Sequence, residues 1–145
     1  MINNRRSFIV GIKSTSLNKN EKNFLRKYRP WGVILFSRNI KSLNQTKNLT
    51  KEIKKIFKDK KYPILLDQEG GRVNRLKNFL NVDLFTGKFF GDLYLKDIKK
   101  FNSYYMKYTE KTSKILKYIG VNINTVPVLD IRRQGSSSII GDRSF

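Results

Sequence analysis

The 145 residues include no cysteine and no histidine. The first absence excludes a disulfide framework and thiol chemistry, and the two together exclude zinc sites built from Cys and His. The second removes the side chain that most often shuttles protons near neutral pH. Long apolar runs are also missing, since no stretch approaches the roughly 20 residues that a membrane span needs. The opening MINNRRSFIVGIK has two arginines, but its apolar stretch is too short for a signal peptide and has no small-residue cleavage site. A soluble cytoplasmic protein is the expectation, long enough for one domain with its own core.

Acidic residues are scarce, 11 against 31 basic, for a net charge of +20. Such an excess invites a nucleic-acid reading. Its distribution argues against one. Lys47, Lys51, Lys54, Lys55 and Lys58 fall on one expected helix, and Lys96, Lys99, Lys100, Lys107, Lys111, Lys114 and Lys117 are spread along another. There is no basic arm, glycine-rich RNA-binding signature or helix-turn-helix spacing. Lysine, asparagine and isoleucine are abundant together and share A/T-rich codons, so a base-biased genome yields the same excess with no partner. No specific nucleic acid and no membrane is expected as a partner.

What is present centres on residues 62–76, YPILLDQEGGRVNRL. Pro63, Ile64, Leu65 and Leu66 read as a short buried parallel strand. The run stops on Asp67 and passes through Gln68 and Glu69 into two glycines and a pair of arginines. Folds of the α/β class build ligand sites where buried strands end in polar side chains and a glycine turn. Gly70 and Gly71 permit positive φ and close approach. Arg72 and Arg75, three apart, share one face of a helical turn.

The rest of the chain alternates. Residues 7–12 suit a first strand. Asn18 and Glu21 have capping-box spacing ahead of a short helix with Phe24, Leu25 and Tyr28 on one side, ended by Pro30. Residues 32–36 form an apolar strand running into Ser37, Arg38 and Asn39. Ser42 and Gln45 repeat the cap spacing before a helix with Leu49, Ile53, Ile56 and Phe57 on its apolar face. Residues 77–93 are apolar without a clean period and read as a long connection packed over the domain. From 97 to 118, Phe101, Tyr104, Tyr108, Ile115 and Ile119 mark a long amphipathic helix, with Gly120 placed to end it. Residues 121–128 read as a fourth strand, and 132–138 (RRQGSSS) as loop.

Strands and helices in alternation imply parallel strands joined by right-handed crossovers. An open doubly wound sheet and half of a (β/α)8 barrel both fit. No G-x-G-x-x-G follows the first strand and no G-x-x-x-x-G-K-[ST] loop occurs, which favours the barrel. The expected fold class is therefore α/β, the N-terminal half of a TIM-type (β/α)8 barrel.

Four segments carry a resemblance: PWGVILFSRNI (30–40), LLDQEGGRVNRL (65–76), GVNINTVPVLDI (120–131) and IGDRSF (140–145). Their order and spacing resemble family 3 glycoside hydrolases, above all the bacterial β-N-acetylhexosaminidases of peptidoglycan recycling. The resemblance implies a TIM-type barrel, removal of terminal β-linked N-acetylglucosamine from peptidoglycan fragments, and a retaining mechanism. It implies no cofactor and no metal. Asp67 matches the family's sugar-hydroxyl-binding aspartate, and a carboxylate suits that role because its two oxygens accept from neighbouring hydroxyls together. Arg75 matches a substrate-binding arginine and Arg143 a further sugar contact, where a planar guanidinium grips oxygens in fixed geometry. The alternative is that these charges pair with one another to hold loops. Glu69, Arg72 and Asp142 read as loop-structuring residues, and Asp130 as a structural acceptor.

No catalytic residue is assigned. The family's lysine- and histidine-bearing motif, its acid/base loop and its nucleophilic aspartate have no counterpart in the 145 residues. A retaining glycosidase needs one group to attack the anomeric carbon and another to protonate the leaving oxygen. Residues 1–145 are thus expected to be a truncated family 3 N-terminal domain, marginally stable, prone to association and inactive alone. A catalytically inactive sugar-binding fragment is a second reading, and a basic nucleic-acid-binding protein a third.

Overall fold

The computed structural model describes residues 4–131, 133, 135 and 138–145. Met1, Ile2 and Asn3 of the opening segment, and Arg132, Gln134, Ser136 and Ser137 of the expected 132–138 loop, lie outside the described residues. Four strands, β1 (Arg6–Gly11), β2 (Pro30–Ile34), β3 (Ile64–Leu66) and β4 (Ile123–Asn124), form one parallel sheet in the order β1-β2-β3-β4. They alternate with α1 (Lys19–Tyr28), α2 (Leu43–Phe57) and a helical pair, α3 (Gly87–Lys96) and α4 (Ile98–Tyr118). Strand order equal to chain order is the winding of a TIM-type barrel. A doubly wound sheet reverses direction at a switch point.

The pleat sorts the strands' side chains. Val33 pairs in register with Ile64, and both join Leu66 in the core beneath the helices. Leu25, Ile53 and Ile119 close over them from α1, α2 and the end of α4, each with no exposed surface. Truncating any of these to alanine costs on the order of 2–5 kcal/mol. Leu65 points the other way, level with Ile34 and Ile123, and Ile9 on that side is 44% exposed. At the N-terminal end of the sheet Phe57 stacks on Tyr62 at 3.8 Å, and the Tyr62 hydroxyl donates to the Pro30 carbonyl at 2.9 Å.

Helix starts follow the cap chemistry. The Asn18 side chain accepts from Glu21 N–H at 2.9 Å while Glu21 accepts from Asn18 N–H at 3.0 Å. Ser42 accepts from Gln45 N–H at 3.2 Å, but Gln45 reaches past the cap to Lys41 N–H at 2.8 Å. Asp97 caps α4 through Lys100 N–H at 3.0 Å.

Three boundaries differ from expectation. Residues 77–93 are not simply a connection: Thr86 accepts from Phe89 N–H at 3.0 Å and starts α3. Its period is obscured because Phe89 and Phe90 pack on Phe85 and on one another, while Phe90 also meets Phe101 and Tyr105 of α4. The first helix is ended by Arg29 in the left-handed region (φ 48), and Pro30 opens the second strand instead of merely stopping the helix. The fourth strand shrinks from 121–128 to two residues. Asn122, just before it, accepts from Ile64 N–H with its side chain at 2.8 Å, and Pro127, which has no N–H, lies beyond it.

Candidate functional site

Beyond β3 burial alternates, with Gln68 buried between the half-buried Asp67 and Glu69, so the first and third side chains share the open side. Each of these carboxylates meets an arginine in fork geometry. Arg75 donates Nε to Asp67 Oδ1 at 2.9 Å and Nη2 to Oδ2 at 2.6 Å. Arg143 donates Nε and Nη2 to the two oxygens of Glu69, both at 2.7 Å. Bidentate pairs of this kind fix orientation as well as charge. The bond to Asp67 raises the Arg75 pKa above its ordinary value, and the bond to Glu69 does the same for Arg143. The pairs also feel one another, since Glu69 acts on Arg75 and Asp67 on Arg143.

A second staple lies beside them. Arg72 donates to Asp142 at 3.0 Å and to the carbonyls of Ile139 and Ile140, the latter at 2.9 Å. Together Glu69–Arg143 and Arg72–Asp142 clamp residues 139–143 onto the turn after β3. Gly87, at the start of α3, lets the Arg143 backbone come close, for a Cβ there would stand 2.3 Å from the Arg143 carbonyl oxygen. Gly70 (φ 98) is hemmed in by the Phe85 carbonyl and the Tyr108 hydroxyl, and that hydroxyl donates to the Glu69 carbonyl at 3.0 Å. Burial holds the Tyr108 phenol above its ordinary pKa. A cavity of about 250 Å³ opens between this turn, α4 and the segment after β4, with Glu69 and Arg143 at its polar side.

The neighbouring strand ends complete the rim. After β2, Arg38 and Arg75 both lie over the Phe36 ring, at 4.6 and 5.7 Å from its centre. Arg38 Nε donates to the Ile12 carbonyl at 3.0 Å, and the buried Asn39 side chain donates to the Ile12 and Ser14 carbonyls. At the end of β4, the Asn124 side chain accepts from Gln68 N–H at 3.0 Å.

The three residues expected to contact sugar therefore lie around one turn, but not as one cluster. Asp67 and Arg75 are paired, whereas Arg143 pairs with Glu69. The pairing of Asp67, Glu69 and Asp142 with arginines accords with a loop-holding role, and the forked geometry leaves further lone pairs and N–H groups for a ligand. Asp130 is exposed and acts electrostatically on Arg143. Sequence reasoning passed over Gln68, Asn74 and Asn124, whose hydrogen bonds shape the turn. Only the buried, turn-adjacent placement of an uncharged amide between two carboxylates could have drawn attention to Gln68. Among the described residues no group of three or more metal-ligating side chains is placed to hold an ion, and no helix is long and apolar enough to cross a membrane.

Residues 7–145 match the family described as the glycosyl hydrolase family 3 N terminal domain. The chain is 31% identical over 137 residues to a beta-hexosaminidase of Thioalkalivibrio sulfidiphilus, covering 94% of this chain and 39% of that protein. A beta-hexosaminidase of Hydrogenovibrio crunogenus is 34% identical over 137 residues, of which the chain covers 38%. Among solved structures, NagZ from Neisseria gonorrhoeae in complex with N-trifluoroacetyl-D-glucosamine superposes with a TM-score of 0.86 at 30% identity. The superposition covers 97% of this chain and 42% of that one. The chain thus spans less than half the length of the relatives it matches.

Proposed function

From the premise that this chain belongs to the family 3 glycosyl hydrolases, matching their N-terminal domain over residues 7–145, we propose that it supplies part of the sugar-binding wall of a cytoplasmic β-N-acetylhexosaminidase. The substrate is a saccharide ending in β-linked N-acetylglucosamine, drawn from peptidoglycan fragments, and the reaction is a retaining hydrolysis. The observation that carries this reading is the forked Asp67–Arg75 pair at the C-terminal end of β3. It is partly exposed, at 22% and 26% for the two side chains, and so open to a ligand. Asp67 accepts from adjacent hydroxyls of the terminal sugar, and Arg75, held by two bonds, keeps donors for ring or substituent oxygens. Arg143 contributes from the far side of the same turn. The relatives, two beta-hexosaminidases and NagZ in complex with N-trifluoroacetyl-D-glucosamine, support this substrate class.

Neither paired carboxylate is assigned to chemistry. Both oxygens of Asp67 and of Glu69 are taken up by guanidinium donors, which suits accepting from hydroxyls better than attacking an anomeric carbon. Retaining hydrolysis needs two further groups, a nucleophile and an acid/base. The 145-residue chain alone accordingly binds N-acetylglucosamine weakly without turning over an N-acetylglucosaminide.

The test is saturation-transfer NMR with N-acetylglucosamine, alongside incubation with 4-nitrophenyl N-acetyl-β-glucosaminide. Wild-type protein shows transfer to the sugar, and Asp67→Asn and Arg75→Met abolish it while remaining folded. Equal transfer to wild type and Asp67→Asn would remove Asp67 from the site. Turnover by the purified chain, lost in Asp67→Ala, would overturn the non-catalytic assignment.

A further inference from the structure

The side chain between the two paired carboxylates points the opposite way. Gln68 is 1% exposed. Its Oε1 accepts from the backbone N–H of Arg75 at 2.9 Å and of Leu76 at 3.1 Å. Its Nε2 donates to Asn74 Oδ1 at 3.1 Å. Asn74, 7% exposed, accepts in addition from Leu76 N–H at 3.0 Å and donates to the Leu80 carbonyl at 2.7 Å. The main chain of Gln68 is fixed from the other side by Asn124 of β4. Gln68 is therefore bonded through its main chain to the end of β4, and through its side-chain amide to the turn carrying Arg75 and to a second amide that ties down residue 80.

An amide buried at this depth and hydrogen-bonded through both its oxygen and its nitrogen specifies geometry, because displacement leaves donors or acceptors unpaired in a low-dielectric setting. The two N–H groups it receives belong to Arg75 itself and to the next residue. The Arg75 side chain then folds back eight residues to meet Asp67. With Gln68 buried and Asp67 next to it half-buried, setting the depth of Gln68 sets the outward face of Asp67.

We propose that Gln68, supported by Asn74, is the positioning residue of this site: its buried amide fixes where the Arg75 backbone runs and so brings the guanidinium square onto Asp67. The role is distinct from sugar contact, because Gln68 is buried beneath the turn. It rests on the sugar-binding reading of Asp67 and Arg75 only for its functional consequence. The geometric part stands or falls without a ligand.

The experiment uses Gln68→Met in the 145-residue chain, an apolar side chain of similar length that removes the acceptor. Two readouts separate the questions. The Arg75 Nε–H resonance reports the fork: it is expected to be slowly exchanging and shifted in wild type, and lost to fast exchange in Gln68→Met. The Arg143 Nε–H resonance, held by Glu69, is expected to persist in both proteins. N-acetylglucosamine affinity is expected to fall by about tenfold, the size that loosening one charge-assisted contact produces.

A folded Gln68→Met protein that keeps the protected Arg75 signal overturns the positioning role, whatever the sugar does. Loss of the Arg75 signal with no N-acetylglucosamine binding even in wild type supports the positioning and overturns the sugar reading instead. Should Gln68→Met fail to fold, backbone exchange in wild type decides. Arg75 and Leu76 amides exchanging as fast as open loop amides would refute the proposal, and strong protection of both would support it.

Discussion

Replacing Gly70 with alanine tests whether the turn after β3 is as tightly enclosed as its geometry requires. The residue has φ 98, where an L side chain is strained, and a Cβ there would stand 2.1 Å from the Phe85 carbonyl oxygen and 2.9 Å from the Tyr108 hydroxyl. The oxygen cannot step aside cheaply. Phe85 N–H bonds the Val82 carbonyl at 3.0 Å, and that same carbonyl receives Gly71 N–H at 2.9 Å. The positive φ costs about 1–2 kcal/mol and forced overpacking about 1–3 kcal/mol, so the variant is expected to lose ~3 kcal/mol or more. For a domain of this size that lowers Tm by about 10 °C. Gly141→Ala is the control, since Gly141 also has positive φ (51) but its nearest atom would be the Arg72 terminal nitrogen at 3.4 Å. It should lose about 1 kcal/mol from backbone strain alone. Melting followed by far-UV circular dichroism reads both. Equal Tm values for the two variants would show that the Phe85 carbonyl is not pressed onto the turn, and the argument for an enclosed Glu69–Gly70 segment would fail.

Thr86→Ala removes the cap of α3 and should cost about 1 kcal/mol, and protease cleavage near residues 84–90 should rise in parallel; an unchanged digestion pattern would count against a helix starting at Gly87. Alkaline pH gives an independent reading of burial. The phenols of Tyr62 and Tyr108 are held above their ordinary pKa of roughly 10, chiefly by burial. The folded protein therefore keeps their protons where the unfolded chain releases them, and stability is present below pH ~10 and falls as pH rises beyond it. Tyrosinate absorbance from these two residues should appear together with loss of the circular dichroism signal, and their free titration in the folded state would contradict the burial.

How far the chain could be read in advance depended on the distance between partners. Asn18 and Glu21 lie three apart, and their reciprocal bonds are what that spacing implies. The strands around Val33 and Ile64 were visible because a parallel strand covered on both faces is apolar along its length. Helix α3 was hidden because its apolar residues spread from the buried Phe90 to the exposed Tyr94 and Leu95, which blurs the period despite the polar Lys88–Asp92 line. At the site, the DQEGG turn and the three expected residues stood out by composition and by family likeness. The partner of each arginine did not: Arg72 and Arg75 each had Asp67, Glu69 and Asp142 as candidates, and only the pleat and the docking of residues 139–143 choose among them. Gln68 was invisible because an uncharged amide has no periodicity to betray its burial.

The two forked pairs, side by side in space, belong to different stages of assembly. Asp67 and Arg75 are 8 residues apart, so their pair closes a short loop and can form as soon as that turn exists. Glu69 and Arg143 are 74 apart, and Arg72 and Asp142 are 70 apart. Those contacts wait for α3, α4 and β4 to come into place, because loop closure must precede the reward of a non-local contact. A nascent chain emerging from the ribosome would carry the first half of the turn long before the second half existed. Arg143 is thus a late arrival, whose docking follows that of α3, α4 and β4.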